Sequence, residues 1–233
     1  MYIFYIHATD STQNHAKALA NLHSSGVPFW AQSAIQTQGR GQRGRSWVSE
    51  PGNLFLTCCF PLPPAPQKIV PGQLSIRVGV VLASVLKNKY NVELKWPNDL
   101  LINGQKCGGV LIEIAEHIYI GIGINITSHP SDTPMPATHL HDHSLIDKEW
   151  LVEKITETIN TQFLNTSDFS TDQQSWWDFA KDSVPFWNVH EPIDGQIIGI
   201  DTLGQLLIKA NDGKVTSRHQ TFDVNNLPFR SKK

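Results

Sequence analysis

Residues 39–44 read Gly-Arg-Gly-Gln-Arg-Gly, and a third arginine, Arg45, follows directly. Glycines let a backbone fold around a ligand and present its N–H groups. Arg40, Arg43 and Arg45 add fork-shaped donors suited to phosphate and carboxylate oxygens. A reaction that brings a carboxylate up to a phosphate needs such positive groups, because the two anions repel. By letter the run also satisfies the dinucleotide pattern GxGxxG. A dinucleotide loop must open a helix whose N-terminus faces pyrophosphate. Here Trp47 and residues 53–60 lead into another strand, so that match is accidental. An RNA-binding Arg-Gly stretch and a plain solvated loop stand as alternatives to an anion-binding loop.

Lys95-Trp96-Pro97-Asn98-Asp99 precedes the dipeptide Asn103-Gly104, a strong two-residue hairpin signal because a type I′ turn needs positive φ at both positions. In that hairpin Leu101 lies opposite Lys106, which fixes the lysine on a paired strand near the turn. A lysine held so can act as an electrophile, and Asp99 and Asn98 can orient a metal through their oxygens. The alternative is an exposed hairpin with a Pro-Asn turn. Gly121-Ile122-Gly123-Ile124-Asn125 ends an apolar strand, and glycines inside a strand mark either a ligand's close approach or a bulge. His139, His141 and His143 sit beside Asp142 in a Pro-rich loop with no Cys or Glu at ligand spacing, which reads as a solvated loop rather than a zinc site.

These groups need elements to hold them. Tyr2 to His7 reads as a strand, Asp10, Ser11 and Thr12 as helix caps, and Gln13 to His23 as a helix with Ala16, Leu19, Ala20 and His23 at helical spacing. Phe29 to Ile35 alternates as a second strand and Leu54 to Phe60 as a buried one. Gly72 to Leu86 carries Leu74, Val78, Val81, Leu82 and Val85 on one stripe. Val92 to Trp96, Leu100 to Ile102, Gln105 to Ile114 and Ile118 to Ile126 read as strands, and residues 127–146 as a loop. Trp150 to Leu164 is an amphipathic helix, and Trp176-Trp177 belongs to another. After Pro185 short runs (196–200, 205–210, 214–216) alternate with turn residues, the texture of a small β-barrel-like domain.

The 233 residues suffice for one sizeable core with a small appended domain. A net charge of −2 argues against a protein that coats nucleic acid, so any positive site is local. Cys58, Cys59 and Cys107 form no CxxC pair, which reads as free, mostly buried thiols in a reducing compartment. No segment approaches the roughly 18 apolar residues of a membrane span, and the expected location is the cytoplasm.

Taken together, GRGQRGRSW at 39–47, KWPNDLLINGQKCGGVLIE at 95–113 and GIGIN at 121–125, with Ser11-Thr12 before the first helix, resemble the biotin–protein ligase family. The resemblance covers residues 1 to about 230. It implies ATP-dependent adenylation of biotin to biotinyl-AMP, with Mg2+, and transfer to a lysine of a biotin carboxyl carrier protein or domain of a biotin-dependent carboxylase. Ser11, Thr12 and Gln36 would then hydrogen-bond the biotin ureido ring. Gly39, Arg40 and the loop through Arg45 would close over ligand, with Arg40 and Arg43 or Arg45 near carboxylate and phosphate, and Trp47 would cover the adenylate. Lys106 would contact the biotin carboxylate and the α-phosphate as the main catalytic residue. Asn98 and Asn125 would sit by the nucleotide and Asp99 near metal or the incoming lysine. Gly109, Gly121 and Gly123 would allow close packing on biotin.

The implied fold is α+β: a mixed β-sheet with flanking helices like the class II aminoacyl-tRNA synthetase core over 1–184, and a small SH3-like β-barrel over 185–233. The winged helix of the bifunctional members is not expected, nor is a DNA or membrane partner; a homodimer is compatible with the family. Gln42 stands where the family commonly has arginine, and Gln13 where it commonly has asparagine. The loss of a cation at 42 is expected to loosen retention of the intermediate. A lipoate or octanoate ligase has a similar core, but the polar Ser11, Thr12 and Gln36 suit a ureido ring better than an apolar tunnel.

Overall fold

The apolar start of the chain forms the expected first strand, β1 (Tyr2–Thr9), which is largely exposed. A computed structural model describes residues 2–22, 26–63, 69–133, 135–164, 168–182 and 195–218. They fall into two compact units, one made of the described residues of 1–71 and 110–124, the other of those of 72–109 and 125–220.

In the first unit β1 pairs in parallel with β2 (Phe29–Gln36), and the crossover between them is α1 (Thr12–Leu22). The antiparallel strand β3 (Leu54–Pro61) follows, then β7 (His117–Ile124), so the sheet is mixed. Ala16 and Ala20 are small enough to bring α1 down onto the sheet, where they meet Phe29, Ala31, Cys59 and Tyr119 in a buried cluster. Ser11 starts the helix as expected: its Oγ accepts the Asn14 N–H at 3.1 Å.

The second unit opens with α2 (Pro71–Leu86). The expected single apolar stripe understates it, because Ser75, Gly79, Val80 and Ala83 on its other sides are buried too. A helix apolar all round is an interior one. Next come β4 (Val92–Lys95), β5 (Asp99–Ile102) and β6 (Gln105–Ile114), whose first half, to Gly109, lies in this unit. They form an antiparallel meander with Leu101 opposite Lys106. Asn103 (φ 50°) and Gly104 (φ 75°) make the left-handed turn that the sequence requires. The helices α3 (Lys148–Leu164) and α4 (Phe169–Ala180) follow, α4 capped by Asp168, which accepts the Ser170 N–H at 3.1 Å. Arg77 of α2 holds Asp172 of α4 at 2.6 Å.

The expected tail strands are present as an antiparallel sheet of β8 (Gln196–Ile200), β9 (Leu206–Lys209) and β10 (Val215–Arg218). Residues 185–194 and 219–233 of the expected 185–233 domain lie outside the described residues. The Trp96 indole N–H donates to Gly204 O at 3.0 Å, and the Gln173 amide to Ile200 O at 3.0 Å, which ties this tail to the residue after β4 and to α4. Cys58, Cys59 and Cys107 are buried and free, as expected. Burial pushes the Cys59 and Cys107 thiols up to about 12, so both stay protonated and unreactive at neutral pH. No helix among the described residues is long and apolar enough to cross a membrane.

Candidate active site

The residues singled out by sequence divide between the units. Ser11, Thr12, Gln36, Gly39, Arg40, Arg43, Arg45, Trp47, Gly121 and Gly123 belong to the first, and Asn98, Asp99, Lys106, Gly109 and Asn125 to the second.

In the first unit the start of α1 and the end of β2 are joined through side chains. Gln36 Oε1 accepts the Thr12 N–H at 2.8 Å and the Thr12 hydroxyl at 3.1 Å. The Thr57 hydroxyl donates to Thr12 Oγ1 at 2.9 Å, and the Gln36 amide donates to Ser49 Oγ at 2.9 Å. Thr57 and Ser49 were not singled out by sequence. Thr57 is the one polar residue in the run Leu54–Phe60, and a hydroxyl kept inside a core strand was a signal available there. Thr57→Val, which keeps the shape and removes the hydroxyl, is expected to lower stability by about 1–2 kcal/mol. The check is a lower urea midpoint at unchanged slope.

The arginine loop is an ordered hairpin. Trp47 N–H donates to Gly39 O at 2.8 Å and Gly41 N–H to Arg45 O at 2.6 Å, with Arg40 bridged to Ser46. Its tip turns through Arg43 (φ 57°) and Gly44 (φ 71°), both left-handed. Gly39 is glycine because of crowding: a Cβ there would lie 2.4 Å from Trp47 O and 2.6 Å from Ser49 Oγ. Trp47 folds back so that its indole lies over Gly123, where a Cβ would meet it at 2.7 Å; Gly121 is faced by the Gln13 side chain. The two glycines therefore permit close packing on β7, here by side chains of the same unit.

Arg40 donates to Glu113 Oε2 at 3.0 Å, and Lys17 reaches the same oxygen at 2.9 Å. Glu113, missed by sequence, thus sets the direction of the arginine closest to the β2 end. Arg43 and Arg45 are exposed at the tip. The Asn14 amide beside Asp10 holds that carboxyl below its usual range, helped by the Ser11 N–H and by the Arg40 charge, against the opposing effect of burial. Two buried polar atoms here, Gln13 Oε1 and Arg40 Nε, make no hydrogen bond among the described residues. Unsatisfied buried groups of this kind mark places where a polar ligand can supply the partner.

In the second unit Lys106 Nζ lies 2.6 Å from Asp99 Oδ1, with both side chains mostly covered. The Lys106 backbone is held as well: its N–H donates to Pro136 O at 2.8 Å and its carbonyl accepts the Thr138 N–H at 2.9 Å. Asn125 is buried and donates to Thr138 O at 3.1 Å, while its own N–H bonds Cys107 O at 2.7 Å. Gly109 lies opposite Asp99 in the sheet register. The Lys106 peptide is thus held from two sides and its ammonium is set by Asp99.

The polar loop is more structured than expected. His139 lies close to both His129 and Asp142, and His143 contacts the Thr138 hydroxyl at 2.9 Å. Burial pushes the His139 imidazole below its usual range, with the Asp142 charge opposing.

The model of the biotin/lipoate A/B protein ligase family matches residues 5–125. The biotin–[acetyl-CoA-carboxylase] ligase of Paracoccus denitrificans is 27% identical, over 88% of this chain and 93% of its own length. The bifunctional ligase/repressor BirA of Bacillus subtilis is 29% identical, over 91% of this chain and 70% of its own. Among solved structures, the biotin protein ligase of Aquifex aeolicus in complex with biotin and ATP superposes with a TM-score of 0.75 at 22% identity, covering 93% of this chain and 95% of that one.

Proposed function

The chain belongs to the biotin/lipoate A/B protein ligase family, and on that premise we propose that it adenylates biotin with ATP and transfers the biotinyl group to a carrier lysine. The observation that carries the choice of biotin is the polar cluster of Thr12, Gln36, Thr57 and Ser49. A ureido ring offers donors and a carbonyl with which such a cluster can exchange its internal hydrogen bonds, whereas a fatty acyl or lipoyl chain offers none.

In the first step a biotin carboxylate oxygen attacks the α-phosphorus of ATP, and the bond to pyrophosphate breaks to leave biotinyl-AMP. Arg40 with Arg43 or Arg45 offsets the repulsion between carboxylate and phosphate. Lys106 places a positive charge on the carboxylate and α-phosphate oxygens, and Asp99 aims its ammonium. Asn98 and Asn125 serve the nucleotide. Asp99 and Asn98 offer the carboxylate and amide oxygens that suit Mg2+, which would enter with ATP and neutralise phosphate charge. Trp47 and the arginine hairpin cover the adenylate and exclude water, which would otherwise hydrolyse the mixed anhydride. In the second step the carrier's ε-amine attacks the biotinyl carbonyl, loses a proton, and AMP departs.

We propose further that the acceptor belongs to a biotin-dependent carboxylase, that the compartment is the cytoplasm, and that 185–233 is an SH3-like domain following the 1–184 catalytic domain. Incubation with a biotin carboxyl carrier domain, biotin and Mg·ATP tests this reading: the domain gains one biotinyl mass, and its acceptor Lys→Arg variant gains none. Absence of labelling on the intact domain would refute the transfer step.

Gln42 gives a further expectation. It is buried at the base of the loop tip, where an arginine would add a cation beside the adenylate. Biotinyl-AMP is expected to leave wild-type protein several-fold faster than Gln42→Arg, measured by filtration after a single turnover. Equal release rates would remove Gln42 from the account.

A further inference from the structure

Three ligand-type side chains outside the groups used above converge in the second unit. His129 Nδ1 and His139 Nδ1 lie 2.9 Å apart. Asp142 Oδ2 lies 3.0 Å from His139 Nδ1 and 3.8 Å from His129 Nδ1. A tetrahedral site with metal–ligand distances of about 2.0–2.1 Å separates its ligand atoms by about 3.3–3.4 Å, and the three observed edges bracket that value.

Protons alone serve this triangle poorly. Two imidazole Nδ1 atoms that face each other need a proton between them, and a proton on His139 Nδ1 can go to His129 or to Asp142 but not to both. One cation at the centre engages all three lone pairs. We propose that His129, His139 and Asp142 form a divalent-cation site with a fourth position open to water. Two imidazoles and one carboxylate select a borderline ion of the zinc class over magnesium or calcium. The three side chains are partly exposed, so an ion can enter from solvent.

The site is wired to Lys106 through backbone. Pro136 and Thr138 hold the Lys106 peptide on one side, while Leu140 N–H bonds Asn125 O and His141 N–H bonds Ile126 O, each at 3.0 Å, on the other. An ion that joins His129 to His139 and Asp142 therefore ties the 125–129 segment to the strap that fixes Lys106. Its role is positional, since none of the three ligands belongs to the reacting groups assigned above.

Equilibrium dialysis of untagged full-length protein against Zn2+, without biotin or ATP, tests this independently of the ligase reading. One equivalent is expected to bind at micromolar concentration or below. Co2+ should give a tetrahedral visible spectrum that Zn2+ displaces. His129→Ala and Asp142→Asn, shown to be folded by circular dichroism, should each weaken zinc at least about a hundredfold, while His141→Ala leaves it unchanged. No saturable binding, or equal affinity in the folded variants, would overturn the site.

Discussion

Lys106→Ala is expected to slow formation of biotinyl-AMP about a thousandfold, a loss of about 4 kcal/mol in transition-state stabilisation. The size of the effect follows from how the side chain is held. Lys106 is the second residue after a tight turn, its peptide is bonded to Pro136 and Thr138, and its ammonium is set by Asp99 at 2.6 Å. A charge fixed in this way needs no reorganisation as negative charge gathers on the phosphate oxygens. Asp99→Asn removes the aim but leaves the charge, so a smaller loss, about tenfold, is expected. Single-turnover quench with biotin and Mg·ATP measures both. A Lys106→Ala rate within a few-fold of wild type, on protein with an unchanged melting temperature, would assign the charge stabilisation elsewhere.

The second large effect belongs to a residue with no side chain. Gly39→Ala is expected to lower kcat/KM for biotin about a hundredfold. Its Cβ would stand 2.4 Å from Trp47 O, a backbone atom that cannot yield without opening the hairpin. That hairpin carries Arg40, Arg43 and Arg45, and its Trp47 N–H to Gly39 O bond would be strained at the same time. The damage is local to one loop, so the melting temperature should fall little while the intermediate escapes faster. A variant that keeps wild-type kcat/KM would mean that the loop adapts, and that crowding at Gly39 does not govern the site.

Much of this arrangement was legible in the sequence because local rules governed it. Asn103-Gly104 demanded its turn, and that turn alone put Leu101 across from Lys106. The rejection of a dinucleotide loop at 39–44 also held, since the chain runs on into β3 rather than a helix. Contacts between residues distant in sequence were not legible. Nothing local shows that Gln36 would reach back 24 positions to Thr12, that Thr57 would meet the same hydroxyl, or that Glu113 would take both Lys17 and Arg40. A Pro-rich segment separates His129 from His139 in the sequence, and the bonds from 140 and 141 back to 125 and 126 help bring it near. The one-striped reading of α2 failed for a related reason: whether its second face is covered depends on elements that pack there only after folding.

Mixing purified protein with Mg·ATP and either biotin or octanoate, without carrier, and identifying the acyl-AMP by mass spectrometry decides which acid the site activates. Biotinyl-AMP is expected, with little octanoyl-AMP, because the hydroxyls and amide of Thr12, Gln36 and Thr57 offer a ureido ring polar partners that an octanoyl chain cannot use. Octanoyl-AMP as the main product would contradict it and move the protein to the lipoate side of its family.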